Sequence, residues 1–321
     1  MSKNINSYIS ATGSYLPKKI LTNKDLSKMV ETTDEWIFSR TGIKQRHVAD
    51  EKELTSDLAV NACNELFKNS KVKAKEVELI IVATTTPDLT FPSTATIVQN
   101  KIGAVNAFAF DVQAVCSGFI FALNTAQNFI ASGQVKNALV IGAETLSRIV
   151  DWKDRNTCVL FGDGAGAVLL EGTTEDRGIL SSKLKSDGSL TDILKTSGGA
   201  SLSQKSGFIE MAGKEVFKHA VTKMSNVVFE SLKEANLSVE DIDLLIPHQA
   251  NIRILESVAT KLGIGEDKVI KVLENHANTS AASIPLAIDY AVKNNRVKKG
   301  DIVVLEALGG GLTWGAVTLK W

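Results

Sequence analysis

Short apolar runs alternate along the chain with longer segments in which apolar positions recur every three to four residues. Residues 79–83, 138–141, 165–170, 244–246 and 302–305 predict strands, and residues 56–68 and 215–235 predict amphipathic helices. None of the five runs carries a charge, which implies cover on both faces of each strand. Strands separated by helices indicate an α/β fold with buried sheets. Residues 112–135 form a stretch of 24 without a charge. Gln113, Asn124, Gln127, Asn128 and Gln134 interrupt it, and unpaired amides are costly in hydrocarbon, so it predicts a helix buried inside the protein and not a membrane span.

The pattern also repeats. Helix end, polar loop and strand over residues 67–81 recur over residues 232–246, with Leu79 and Leu244 165 positions apart. Val135-Lys136-Asn137 before one strand matches Val297-Lys298-Lys299 before another, 162 positions on. Two similar offsets of about half the chain suggest duplicated halves around a pseudo-twofold axis. Any α/β protein contains helix–loop–strand units, and that is the plainer explanation. Under duplication, equivalent strand ends meet near the axis, where ligands of α/β proteins bind.

Composition narrows the class. The 321 residues carry 36 Lys plus Arg against 36 Asp plus Glu, a formal net charge of zero that argues against a general nucleic-acid or membrane-surface binder. Cys63, Cys116 and Cys158 form no CxxC pair, and an odd count makes a poor disulfide framework. The opening residues 1–8 lack the apolar segment of a signal peptide, so the expected location is the cytoplasm with thiols free. No HxxxH or HExxH spacing occurs, so no metal site is expected. Gly162-Asp163-Gly164-Ala165-Gly166 has the spacing GxGxG and precedes a strand, which fails the dinucleotide fingerprint.

Three residues stand at junctions where strands are expected to pass into helices: Cys116, His248 after residues 244–247, and Asn278 ahead of Thr279-Ser280-Ala281-Ala282-Ser283. A thiol at a helix N-terminus feels the positive end of the macrodipole, and its pKa is expected to fall. That reads as a nucleophile, with a small buried hydrophobe as the alternative, the reading applied to Cys63 and Cys158. His248 is either a satisfied strand-end residue or the partner of that thiol. Gly309-Gly310-Gly311 is either a tight turn or a segment that brings N–H groups to an oxyanion. Together they fit thioester or acyl chemistry, with no substrate named.

At these residues the chain resembles β-ketoacyl-[acyl-carrier-protein] synthase III, the initiating condensing enzyme of bacterial type II fatty acid synthesis. The resemblance rests on Thr33-Asp34-Glu35-Trp36-Ile37, Arg40-Thr41-Gly42-Ile43, residues 113–119 around Cys116, residues 161–167, Ile246-Pro247-His248-Gln249-Ala250-Asn251, residues 278–285 and residues 309–315. It implies a thiolase-like duplicated five-layer αβαβα sandwich and a homodimer. One half, residues 1–174, would carry the cysteine, and the other, residues 175–321, the histidine and asparagine. It also implies that Cys116 takes an acetyl group from acetyl-CoA, and that malonyl-acyl carrier protein then loses CO2 and attacks it. No cofactor is implied.

His248 and Asn278 would donate to the malonyl thioester oxygen, and the backbone N–H groups of Cys116 and Gly310 would form a second oxyanion hole. Trp36 and Arg155 would flank the CoA adenine, with Arg40 near the phosphates and Thr32, Phe217, Ala250 and Asn251 along the tunnel. Lys218 and Arg253 would meet the acidic carrier protein, while Lys214 reads as a solvated charge. Phe91 would project across the dimer and limit the primer, and Leu308 stands where some relatives have Phe, which would enlarge the acyl pocket. Ser117-Gly118 replaces an Ala-Ala of several relatives, and Ala277 a common Gly. The alternatives are a homologue primed by a longer or branched acyl-CoA and a non-catalytic carrier-protein binder.

Overall fold

Uncharged strands need apolar cover on both faces, and the chain supplies it with helices. The computed structural model describes residues 5–321, so part of the reading of residues 1–8 falls outside it. Its two principal sheets contain β1 (Asn6–Tyr15), β2 (Leu79–Ala83), β3 (Phe108–Val112), β4 (Asn137–Glu144), β5 (Gly164–Thr173), β6 (Gly178–Ser186), β7 (Leu244–Pro247), β8 (Ile302–Gly309) and β9 (Thr313–Lys320). The helices that cover them or carry site residues are α1 (Asp34–Thr41), α2 (Thr55–Asn69), α3 (Thr94–Ile102), α4 (Gly118–Ala131), α5 (Gly213–Glu234), α6 (Ile252–Leu262) and α7 (Ser283–Lys293). The five strands and two helices predicted from the pattern all occur within a few residues of their expected bounds.

The first sheet has the order β1-β5-β4-β2-β3 and the second β6-β9-β8-β7. The orders superimpose, and so do the directions. β5 is antiparallel to both its neighbours, as β9 is. β4 runs parallel to β2, as β8 does to β7. In the place of β3 the second sheet has only a bridge between Leu245 and Val269. The matched segments of the sequence therefore precede equivalent strands: Leu79 opens β2 and Leu244 opens β7, while residues 135–137 and 297–299 lead into β4 and β8.

Side-chain alternation assembles five layers. Leu79, Ile81 and Ala83 of β2 face inward to α4 and α7, while Ile80 and Val82 face outward to α2 and α3. In the second sheet Val303, Leu305 and Ala307 of β8 face the same central helices, and Val304 and Leu308 face α5 and α6. α4 thus lies between two sheets, with Phe119, Ile120 and Leu123 fully buried. This accounts for the charge-free stretch, since a charge there would be buried without a partner. No helix among the described residues is long and apolar enough to cross a membrane.

The central layer is packed tightly enough to restrict backbone as well as side chains. A Cβ on Gly142 in β4 would come 2.2 Å from the carbonyl oxygen of Ala281, just ahead of α7. That contact seats the segment carrying Asn278 against the carboxyl end of the first sheet. Within the second sheet, Glu306 of β8 is fully buried and neither carboxylate oxygen has a partner. Burial pushes its carboxyl up to about 8.

The unfolded chain releases that proton near 4.5, so the Glu306 contribution to stability is lost progressively as pH rises from 4.5 through about 8. Glu306→Gln removes the dependence. Denaturant melts should find the variant and wild type alike at pH 4.5, with the variant ahead at pH 8 by on the order of 1–4 kcal/mol. A difference that does not grow with pH would show that the carboxyl is not held neutral.

Candidate active site

Cys116 sits in a one-turn helix, Val115–Ser117, immediately ahead of α4. Val115 has φ +50°, a left-handed conformation that a β-branched residue rarely adopts, so the turn bearing the thiol is strained. The turn is tied down by Thr313, whose Oγ1 donates to the Ala114 carbonyl (3.0 Å) and accepts from the Ser117 hydroxyl (2.9 Å). The glycine-rich turn presses on it from the second half: a Cβ on Gly309 would lie 2.6 Å from the Cys116 nitrogen.

The expectation of a lowered thiol pKa is overturned. Burial pushes the Cys116 thiol up to about 12, opposed by the nearby Ser280 hydroxyl and reinforced by the charge of Glu144. A helix end contributes about 0.3–1 kcal/mol, less than one pKa unit, and cannot outweigh desolvation of a thiol only 6% exposed. Cys63 and Cys158 are buried as well, in keeping with their reading as hydrophobes.

His248 follows β7 and is 2% exposed. Its backbone N–H donates to the Glu306 carbonyl (2.8 Å), and its Nδ1 lies 2.7 Å from the Ser283 hydroxyl at the start of α7. Burial lowers its pKa to about 3, so the ring is neutral at physiological pH. Asn278 does not follow a strand, contrary to expectation. It lies between the helical turn Leu273–His276 and the turn Ser280–Ala282, held by a bridge to Phe161. Its Oδ1 accepts the Ser280 N–H (2.9 Å), which leaves the Nδ2 group as the free end. His248 and Asn278 each have one polar atom committed to the protein.

One cavity of about 640 Å³ is lined by Cys116, His248 and Asn278 together, with Leu308 beside them. Phe217, Ala250 and Asn251 also line it. The other expected residues lie outside. Two guanidinium groups lie over the Trp36 ring of α1, Arg40 at 4.7 Å and Arg155 at 4.8 Å from its centroid. Asn251 joins this cluster to the cavity by donating to the Arg40 carbonyl (3.1 Å). The Thr32 hydroxyl is buried without a partner. Arg253 lies 5.9 Å from the Phe217 ring, and Lys218 follows Phe217 in α5. Phe91 is 83% exposed. Gly310 packs against the Leu194 carbonyl, 2.8 Å from where its Cβ would be. Among the described residues no cluster of three His, Cys, Asp or Glu side chains could hold a metal.

Four features escaped the sequence. The small hairpin of Leu194–Thr196 with Ile209–Met211 roofs the cavity, but strands of three residues show no periodicity. Ser280 and Ser283 were visible only as members of a small-residue run. Glu144, at the end of β4, is fully buried and accepts from the Thr85 N–H and from the hydroxyls of Thr84, Thr85 and Thr86. Asp163 turns out to be a staple, accepting from the Ala49 N–H (2.7 Å) and from the Ser147 N–H and hydroxyl.

A family model described as 3-oxoacyl-[acyl-carrier-protein (ACP)] synthase III matches residues 110–188, and one described as its C-terminal part matches residues 232–321. The β-ketoacyl-[acyl-carrier-protein] synthase III of Wolbachia pipientis wMel is 59% identical over 98% of this chain and 99% of its own. That of Ehrlichia canis (strain Jake) is 56% identical over the same shares. The crystal structure of 3-oxoacyl-[acyl-carrier-protein] synthase III from Aquifex aeolicus VF5 superimposes with a TM-score of 0.94 at 48% identity, covering 98% of this chain and 100% of that one.

Ala277 has φ +60° and ψ −165°, a region otherwise left to glycine. Ala277→Gly relieves this strain and should raise unfolding stability by about 1 kcal/mol in urea melts, after the entropy lost by glycine. A destabilised variant would show that the Ala methyl, fully buried, contributes more than the strain costs.

Proposed function

The chain belongs to the 3-oxoacyl-[acyl-carrier-protein] synthase III family, and from this premise we propose that Cys116, His248 and Asn278 divide a decarboxylative condensation between them. The protein is an acyltransferase, the initiating condensing enzyme of fatty acid synthesis. The observation that carries the division of labour is the shared cavity: a thiol from the first sheet's side meets an imidazole and an amide from the second, each with one end free.

In the first half-reaction the Cys116 sulfur attacks the carbonyl of acetyl-CoA. The C–S bond to CoA breaks, the acetyl group stays on Cys116, and the thiol's proton ends on the CoA sulfur. The thiolate is the attacking form, so the thiol must give up its proton as the bond to the acyl carbon forms. The backbone N–H groups of Cys116 and Gly310 hold the transient oxyanion. In the second, malonyl-acyl carrier protein loses CO2 and its thioester oxygen becomes an enolate. The His248 ring and the Asn278 amide donate to that oxygen. Their interaction strengthens as charge develops, which lowers the barrier more than it tightens substrate binding. The enolate carbon then bonds to the acetyl carbon, and the departing Cys116 thiolate takes up a proton. Loss of CO2 supplies the carbanion, so the reaction calls for no metal or redox cofactor.

Trp36 with Arg155 forms the adenine slot, which opens when the base separates the stacked pair, and Arg40 faces the phosphates. Thr32, Phe217, Ala250 and Asn251 guide the pantetheine arm. Lys218 and Arg253 present positive charge beside the entrance to the acidic carrier protein, a local field compatible with zero net charge. We read residues 1–174 and 175–321 as the two halves of a cytoplasmic homodimer subunit in which Phe91, 83% exposed in the single chain, enters the partner's acyl pocket beside Leu308.

Intact-protein mass after mixing with acetyl-CoA should rise by one acetyl group on wild type and not on Cys116→Ala; acetylation of the variant would remove Cys116 as nucleophile. Because His248 is already neutral, decarboxylation of malonyl-acyl carrier protein should show no acid limb near 6.5, the ordinary histidine value. A limb there would mean that the ring is protonated in the working site. Arg253→Glu should raise the KM for malonyl-acyl carrier protein about tenfold, with kcat little changed; an unaltered KM would place the docking surface elsewhere.

A further inference from the structure

A neutral imidazole can donate from only one of its nitrogens, so His248 serves as a donor into the cavity only if its hydrogen is on Nε2. The ring does not decide this. The atom facing Nδ1 does, and that atom is the hydroxyl oxygen of Ser283, 2.7 Å away. Ser283 is 1% exposed, so solvent takes no part. The Gln249 backbone N–H donates to the same oxygen at 3.4 Å. Gln249 is itself immobilised: its side-chain NH2 donates to the carbonyls of Pro247 (2.8 Å) and Ile270 (3.0 Å), and its Oε1 accepts from the N–H groups of Val272 and Leu273. Among the described residues the Ser283 oxygen has two hydrogen-bond partners, the Gln249 N–H, which cannot accept, and Nδ1. The hydroxyl hydrogen therefore goes to Nδ1. The opposite tautomer would aim two donors at the oxygen and strand the hydroxyl hydrogen in a buried site.

We propose that Ser283 is the positioning residue that holds His248 as the Nε2–H tautomer, making the ring a hydrogen-bond donor to the malonyl thioester oxygen and unable to act as the base for Cys116. The inference rests on the function proposed above for what the donor serves, but not for the tautomer itself.

The test combines a spectrum with split kinetics. With four histidines in the chain, protein labelled with [15N]histidine gives a readable long-range 1H–15N correlation spectrum, in which His248 is the set of peaks missing from His248→Gln. Wild type should show Nε2 protonated and Nδ1 bare. Ser283→Ala should populate the Nδ1–H form and slow malonyl-carrier-protein decarboxylation about 10–100-fold, within the range for losing an oxyanion donor or its support. Acetylation of Cys116 should stay at the wild-type rate, and Ser283→Thr, which keeps the hydroxyl, should restore both spectrum and decarboxylation. Should Ser283→Ala not fold, Ser283→Cys, with its weaker donor, supplies the contrast. A wild-type Nδ1–H signature, or wild-type decarboxylation in the variant that lacks the hydroxyl, overturns the proposal. Undiminished decarboxylation in His248→Gln would instead overturn the function assigned to His248, while the spectrum would still decide the role of Ser283.

Discussion

The packing of α4 and α7 between two sheets is the constraint on which the rest of the molecule depends. A helix covered on two faces has almost no solvent side, so α4 carries no charge and buries Phe119, Ile120 and Leu123 completely. Both central helices begin where the sheets end, one preceded by Cys116 and the other by Asn278 and Ser280. Closing the apolar layer therefore brings the proposed nucleophile and its proposed partners to one place, although Cys116 and His248 are 132 positions apart in the chain (248 − 116). The geometry of the candidate site is a by-product of the core.

The close approach has a cost in backbone freedom. Gly142 touches the Ala281 carbonyl and Gly309 the Cys116 nitrogen, with no space for a side chain at either point. Val115, Ala277 and Ser280, all next to or within the site, adopt positive φ angles. Such strain persists only where surrounding structure over-determines the conformation, and here the two sheets do so.

The same burial sets the electrostatics. Desolvation raises the thiol of Cys116 and lowers the imidazole of His248, so the resting site presents a neutral thiol, a neutral ring and a neutral amide. In the proposed reaction, a carboxylate leaving as CO2 and an enolate forming in its place would meet fixed dipoles that need not reorganise. Glu144 is the nearby acid, and four threonine-derived donors hold it in place.

The chain's own pattern was sufficient for the class of fold, the strands and the buried helix, because strand alternation and an unbroken apolar surface are local properties of residues 79–83 or 112–135. The repeat was legible too, since Leu79 and Leu244 open equivalent strands. Cys116, His248 and Asn278 stood out by residue type beside apolar elements, and the family resemblance of their motifs supplied roles that spacing alone does not. What the sequence could not express was anything set by neighbours distant in the chain. The direction of the Cys116 pKa shift reversed because desolvation by the packed halves exceeds a helix-end effect. The two strands of the roof, three residues each, are too short to show a period. The contact of His248 with Ser283, 35 residues further on, exists only because β7 and α7 meet in the folded core. Local periodicity determined the elements; burial and contact, which belong to no single segment, decided the state of the groups between them.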